Sequence, residues 1–244
     1  MKTLIIIPSR LSATRLPGKP LLKINGLSII SHVFKKAVDT NIGEVYVAAQ
    51  DQEIIDDVQQ NGGQAILTSV NHKTGTDRTN EALDKIGISD IDLVMNLQGD
   101  EPLIDVDDIR NLHNLMIKTK SKLGTLASNI SDENIHLNPN VVKVTTKENL
   151  KKSKFPEAES FMRKSNNSID NIYHHLGIYC YQIETLKKFV SLSQSNNEIK
   201  NRLEQLRALD NNIRINVCHA KKTPIGVDTE EDFVAIKKIM EYKS

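Results

Sequence analysis

Continuous apolar runs alternate with helical spacing along the first hundred residues. TLIIIPS (3–9) is apolar almost throughout, as expected of a strand buried on both faces of a parallel sheet. Residues 28–38 then carry apolar side chains at helical spacing. EVYVAAQ (44–50) predicts the next strand, and QEIIDDVQQNGG a helix stopped by Gly62 and Gly63. QAILTS reads as a short third strand. A loop, VNHKTGTDR, leads to a helix over about 78–86, and DLVMNLQGD (92–100) is a fourth strand ending in a carboxylate. This β-α-β-α order implies parallel strands joined by right-handed crossovers.

From about residue 121 the rhythm changes. GTLASNI and NVVKVTT read as neighbouring strands with no long helix between them, and 150–170 is polar and irregular. YHHLGIYCYQ (173–182) is a strand, followed by helical stretches at about 183–191 and 198–209 and a strand, IRINVCHA, at 213–220. TPIGVDTEEDFVAIKKIMEY closes the chain with a turn and a helix, for which Thr229 and Asp232 form a suitable capping pair. No internal repeat or long linker is visible. The pattern predicts one α/β domain over 1–244, with a small mixed lobe inserted at about 120–190.

Composition narrows the function classes. The formal net charge of +1 gives no overall basic field for nucleic acid or anionic membrane, so any electrostatic function is local. The cysteine and histidine spacings match no zinc pattern, and Cys180 and Cys218 fall in strand-like apolar runs, read as buried free thiols with a disulfide still open. TLIII is too short for a signal-peptide core, and no stretch reaches the roughly 20 apolar residues of a membrane span. The expectation is a cytoplasmic protein with no membrane or nucleic-acid partner.

Ligands of open parallel sheets bind beyond the carboxyl ends of the strands. Three loops lie at that edge, at 8–20, 69–78 and 98–103. The first, IPSRLSATRLPGKPL, crowds Arg10, Arg15 and Lys19, which repel one another unless an anion lies between them. Guanidinium groups and a mobile ammonium suit a polyphosphate, aided by the helix start that follows; solvated loop cations are the plainer alternative. A proline follows Lys19, so the GxxxxGK[ST] phosphate loop is excluded. In LQGDEP, Asp100 is placed to hold a hard divalent cation such as Mg2+, which takes one or two carboxylates plus phosphate oxygens; as a simple turn former it needs no metal. Asp228, in GVDTEED, is a second metal ligand or a helix cap. In KTGTDR, Thr74 and Arg78 suit nucleoside recognition, or an ordinary helix N-cap.

Seven motifs, IPSRLSATRLPGKPL, TGTDR, NLQGDEPLI, NPNVVKV, HHLGIYCY, LEQLRAL and GVDTEED, occur in an order and spacing that resemble the CMP-KDO synthetases, the 3-deoxy-manno-octulosonate cytidylyltransferases, over roughly residues 3–235. The resemblance implies a mostly parallel, Rossmann-like nucleotidyltransferase sheet with a small mixed α/β dimerisation lobe, a homodimer, and Mg2+ as cofactor. It implies attack by the anomeric hydroxyl of a 3-deoxy-octulosonic acid on the α-phosphate of CTP, giving a CMP-sugar for lipopolysaccharide synthesis and pyrophosphate. Asp100 and Asp228 match metal ligands, and with Arg10 and Lys19 form the catalytic set. Pro8, Arg10, Lys19, Thr74, Arg78 and Gln98 match CTP-binding positions. Arg15, Gln98, His175, Tyr179, Glu204 and Gln205 match positions lining the sugar-acid pocket.

The departures fall mostly on the sugar side. The family carries YFSRxxIP, with its arginine near the sugar carboxylate, where this chain has KSKFPEAESFMRKSNNSIDN. Aligning AESFMR recovers the arginine as Arg163, without the IP; the other alignment puts Pro156 and Glu157 there. Asn201 replaces a glutamate, and Gln50 stands where threonine is common. A modified substrate such as an 8-amino octulosonate, or simple drift of a surface loop, accommodates these changes. Two other classes compete: a metal-dependent glycosyltransferase, disfavoured by the dense cations of 10–19, and a non-catalytic nucleotide binder, disfavoured by retention of both aspartates.

Overall fold

The computed structural model describes residues 1–12, 15–130, 132–165 and 169–242; Ala13 and Thr14 of the cationic loop and 166–168 of the divergent segment lie outside it. Two compact units form, Met1–Val106 with Pro224–Ser244, and Asp107–Thr223.

The first unit is built on β1 (Thr3–Ser9), whose Leu4, Ile5, Ile6 and Ile7 are fully buried. A 3-10 turn at Lys19–Leu21 and the small hairpin β2 (Lys23–Ile24) and β3 (Leu27–Ser28) lead into α1 (Ile29–Asp39). Ser28 caps this helix by accepting the Ser31 N–H at 3.2 Å. Then follow β4 (Glu44–Ala49), α2 (Gln52–Gln60), β5 (Ala65–Leu67), α3 (Gly75–Ile86) and β6 (Leu93–Asn96). The strands run parallel in the order β6-β1-β4-β5, with Ile5 opposite both Met95 and Val45. Apolar runs buried on both faces give this sheet, as anticipated, because helices cover parallel strands on each side. One boundary moves. Thr74 accepts the Asp77 N–H at 3.2 Å, so α3 starts at Gly75 instead of about 78, and Asp77 and Arg78 lie in its first turn.

The second unit contains a helix that the sequence reading did not anticipate, α4 (Val106–Thr119), which buries Ile109, Leu112 and Met116 at helical spacing. Its strands are β7 (Leu123–Ser128), β8 (Lys143–Thr146), β9 (Ala158–Met162), β10 (Ile172–Gln182) and β11 (Asn216–His219), with helices α5 (Ile183–Ser191), α6 (Asn196–Asn201) and α7 (Leu206–Asp210). Three expectations change here. β7 and β8 are not partners: both pair antiparallel with β10, which lies between them. The polar 150–170 stretch contains β9, antiparallel to β8, because a strand with one face open needs few apolar residues. The helix expected over 198–209 is two helices, broken where Arg202 adopts a left-handed conformation, φ 53 and ψ 48. Cys180 and Cys218 are buried and free, and burial holds both thiols protonated.

The last segment rejoins the first unit and ends in α8 (Glu230–Glu241), with a complete capping box between Thr229 and Asp232. Among the described residues no helix is long and apolar enough to cross a membrane.

Candidate active site

The cationic loop is tied at both ends. The Leu11 N–H donates to Asp51 Oδ2 at 2.7 Å, so Asp51, at the start of α2, anchors the loop instead of capping its own helix. Gly18 N–H donates to Leu11 O at 3.0 Å, and Gly18 takes φ +72°, a conformation that glycine adopts without steric cost. This closure turns Lys19 inward. Its ammonium donates to Asp100 Oδ2 at 2.5 Å, Val227 O at 2.9 Å and Asp228 Oδ1 at 3.2 Å, which uses all three protons. Burial alone would lower its pKa, but the charges and hydrogen bonds of Asp100 and Asp228 outweigh it and raise the value.

The two aspartates come from distant parts of the chain and are joined by a backbone bond, Val227 N–H to Asp100 O at 2.9 Å. Asp228 is relieved of the plainer role open to it, whereas Asp100 lies in the turn that follows β6. At the second turn Thr229 is the cap of α8, and Asp232 Oδ2 accepts the Asp228 N–H at 3.1 Å, so the Asp228 carboxylate is left to face Lys19 and Arg15. At the first, Gly99 lets the chain pass β1 closely; a Cβ there would lie 3.1 Å from Pro8 O and 3.1 Å from Ile30 Cδ1. Pro8 thus lies against the Gly99 turn. Arg15, expected on the sugar side, pairs with Asp228 Oδ2 at 2.8 Å. With side chains 48% and 43% exposed, that pair adds at most about 1 kcal/mol to stability.

Next to this cluster the Glu101 carboxyl is pushed up to about 8, by burial first and then by the charges of Asp100 and Asp228, with Lys19 opposing them. Among the described residues its Oε2 is buried without a hydrogen-bond partner. Asp100 and Asp228 already converge on one cation, the Lys19 ammonium. Two hard carboxylates reaching one nitrogen therefore fit Mg2+. No group of three or more His, Cys, Asp or Glu side chains among the described residues is placed to hold a metal ion.

Arg78 is buried and donates to Thr68 Oγ1 at 2.5 Å, Ser69 O at 3.1 Å and Gln50 Oε1 at 2.6 Å. It fastens the ends of β4 and β5 together, and Gln50 in place of threonine supplies one acceptor. Burial, then the charge of Arg10, lowers its pKa. Arg10 itself is exposed, and Thr74 and Gln98 are half-buried. Glu81 is a positioning residue that the sequence reading missed. Its carboxylate accepts the Ser69 N–H at 2.9 and 3.1 Å and the Lys85 ammonium at 2.8 Å, and is hydrogen-bonded by the His72 ring. Burial opposes ionisation, but Lys85, His72 and Ser69 together hold its pKa near about 2, below the ordinary 4.5. A depressed carboxylate pKa stabilises above the unfolded value and is lost as pH falls through the folded one. The difference in thermal midpoint between wild type and Glu81→Gln is therefore expected to be full at neutral pH and to vanish between about 4.5 and about 2. A difference constant down to the lower pH would show that Glu81 does not carry it.

In the second unit, His175, Tyr179 and Glu204 gather. A register shift in β10 between Leu176 and Tyr179 re-aims its side chains. His175 Nε2 lies 3.0 Å from Thr125 Oγ1, and burial, with His174 adding to it, pulls its pKa down to about 3, so the ring is neutral. The His175 and Tyr179 ring centroids are 5.6 Å apart. Burial first, then the charges of Tyr181 and Glu204, raise the Tyr179 pKa, and Gln205 is buried. Arg163 differs from expectation. Its guanidinium is bonded to main-chain carbonyls of Pro139, Asn201 and Arg202 instead of standing open for a sugar carboxylate.

A parallel α/β sheet whose first loop presses clustered cations against paired carboxylates has the make-up of a nucleotidyltransferase. The model of the cytidylyltransferase family matches residues 4–215. A 3-deoxy-manno-octulosonate cytidylyltransferase of Thermodesulfovibrio yellowstonii is 41% identical, covering 98% of each chain. That of Afipia carboxidovorans is 40% identical over 98% of this chain and 96% of its own. The solved structure of CMP:2-keto-3-deoxy-manno-octonic acid synthetase complexed with CTP superposes over 100% of both chains, with a TM-score of 0.89 and 33% identity. The chain belongs to the cytidylyltransferase family, among its 3-deoxy-manno-octulosonate cytidylyltransferases.

Proposed function

We propose that this chain transfers CMP from CTP to 3-deoxy-manno-octulosonate, releasing pyrophosphate, as the names of its relatives indicate for them. The observation that supports the reading most is the Lys19 ammonium held by Asp100 and Asp228. A cation already occupies the place between the two carboxylates, and the loop that delivers it carries Arg10 and Arg15 as well.

Attack on a phosphate demands positioning and charge neutralisation more than covalent help. Arg10, Arg15 and Lys19 grip the triphosphate and offset charge that grows on pyrophosphate as it departs. Asp100 and Asp228 would hold Mg2+, which would supply charge stabilisation for the phosphates and acidify a hydroxyl. Arg78 and Thr74 set the edge that receives the nucleoside, and Gln98 adds a polar group there. His175, Tyr179, Glu204 and Gln205 bind the sugar acid, with the neutral His175 ring offering a hydrogen bond without a charge. Homodimerisation belongs to this reading through the family resemblance, and sedimentation of the purified chain measures it.

Pyrophosphate release with CTP, Mg2+ and 3-deoxy-manno-octulosonate is the direct test. Omitting either CTP or the sugar acid is expected to abolish release; release that persists without the sugar acid would overturn the reading. Running the 8-amino-3,8-dideoxy analogue in parallel decides the sugar preference, and an advantage for that analogue would make the modified acid the substrate.

A further inference from the structure

Two cations of the second unit, Lys143 and Arg163, hold six main-chain carbonyls between them. Lys143 is fully buried, and its ammonium donates to Asn138 O at 2.8 Å, Val141 O at 2.8 Å and Arg163 O at 2.5 Å. Arg163 donates from Nη1 to Pro139 O at 3.0 Å, from Nε to Asn201 O at 2.9 Å and from Nη2 to Arg202 O at 2.9 Å. Lys143 thus fixes the backbone of residue 163 and the 138–141 turn, and Arg163 reaches from that frame to the end of α6.

The Nε/Nη2 edge is one of the two by which an arginine grips a carboxylate in paired fashion. Here two successive peptide carbonyls take it. They belong to the break between α6 and α7, where Arg202 holds a left-handed conformation that residues with a Cβ avoid. The start of α6 is fixed separately: Glu198 accepts from buried Arg207 at 2.8 and 2.6 Å, and the Leu203 N–H returns to Glu198 O at 3.3 Å. Without Arg163 the turn keeps its first anchor and loses its second. The residues that follow the turn are Glu204 and Gln205.

We infer that Arg163 is a positioning residue, a clamp on the Asn201–Arg202 carbonyls that sets Glu204 and Gln205, and not a ligand of the sugar carboxylate. The inference rests on the sugar-acid reading of those two side chains. It also accounts for the altered segment around Arg163: an arginine that grips backbone needs the β8–β9 frame, not the family's neighbouring residues.

The test has two arms. In the ligand-free protein, Arg163→Met is expected to speed amide exchange at 199–206 by about tenfold or more, with exchange at 216–219 unchanged. In the turnover assay, Arg163→Lys, which keeps the charge but not the planar fork, is expected to raise the KM for 3-deoxy-manno-octulosonate about tenfold. Its kcat and its KM for CTP should stay near wild type. The inhibition constant of the C1-carboxamide of the same sugar should rise by the same factor, because a displaced Glu204–Gln205 segment does not sense the carboxylate. A rise for the acid with no rise for the carboxamide would make Arg163 a carboxylate ligand and overturn the inference. So would unchanged exchange at 199–206. If wild type turns over no 3-deoxy-octulosonic acid, the sugar reading fails, and the exchange arm still decides whether the clamp exists.

Discussion

Asp100→Asn is expected to lower turnover by about three orders of magnitude while leaving the fold intact. Asp100 and Asp228 are the two carboxylates that converge on one cation, and a metal at such a site contributes several kcal/mol to stabilising phosphate charge, or about a thousandfold in rate at 1.36 kcal/mol per factor of ten. Asparagine keeps the shape and one acceptor oxygen but removes the charge that would bind the ion. The turn is set by the backbone bond from Val227 to Asp100 O and by the close passage at Gly99, and Lys19 keeps Val227 O and Asp228 as partners. The thermal midpoint should accordingly move by only a few degrees. Mn2+ binding followed by electron paramagnetic resonance should weaken in step with turnover. Near-wild-type turnover with intact folding would remove Asp100 from the metal site.

Lys19→Met is expected to act in opposite directions on metal and nucleotide. In the free protein the Lys19 ammonium occupies the oxygens of Asp100 and Asp228 at 2.5 and 3.2 Å. Its side chain is only 15% exposed, so water screens the pair weakly. An ion that binds those oxygens must compete with it. Methionine fills similar volume without charge, so Mn2+ should bind about tenfold more tightly without nucleotide. On the proposed function the same change would remove a charged donor to the phosphates of CTP, and KM for CTP should rise by roughly tenfold to a hundredfold. The raised pKa of Lys19 fixes the pH window. A raised lysine value stabilises fully below the unfolded 10.5 and is lost only above it, so the ammonium competes throughout the neutral range. Weaker Mn2+ binding in the variant would mean that Lys19 helps to build the site instead of filling it.

Much of the fold was legible in advance. TLIIIPS read as a strand covered on both faces and EVYVAAQ as the next strand, and Gly62 and Gly63 ended a helix where expected. Local chemistry made these readable: burial on both faces demands apolar residues at every position, and helix ends demand particular caps. Seven motifs in order carried the family. The helix Val106–Thr119 also had its spacing on display, in Ile109, Leu112 and Met116, yet went unread beside its polar first turn.

Other features had no local signature. Strand Ala158–Met162 lies in a polar stretch and exists because Lys143–Thr146 pairs with it. The split at Arg202 turns on carbonyls gripped by a side chain 39 residues away. Arg15, Arg78 and Arg163 were each recognisable as cations near a site, but a cation's role depends on which oxygens reach it. Chain folding brought Asp228 to Arg15, Gln50 and Thr68 to Arg78, and three peptide carbonyls to Arg163. Periodicity and capping act within a few residues, so the order of amino acids specified the elements and the family. Coulombic and hydrogen-bond partners are chosen across the whole chain, so the meeting of Lys19 with Asp100 and Asp228 came from three-dimensional packing alone.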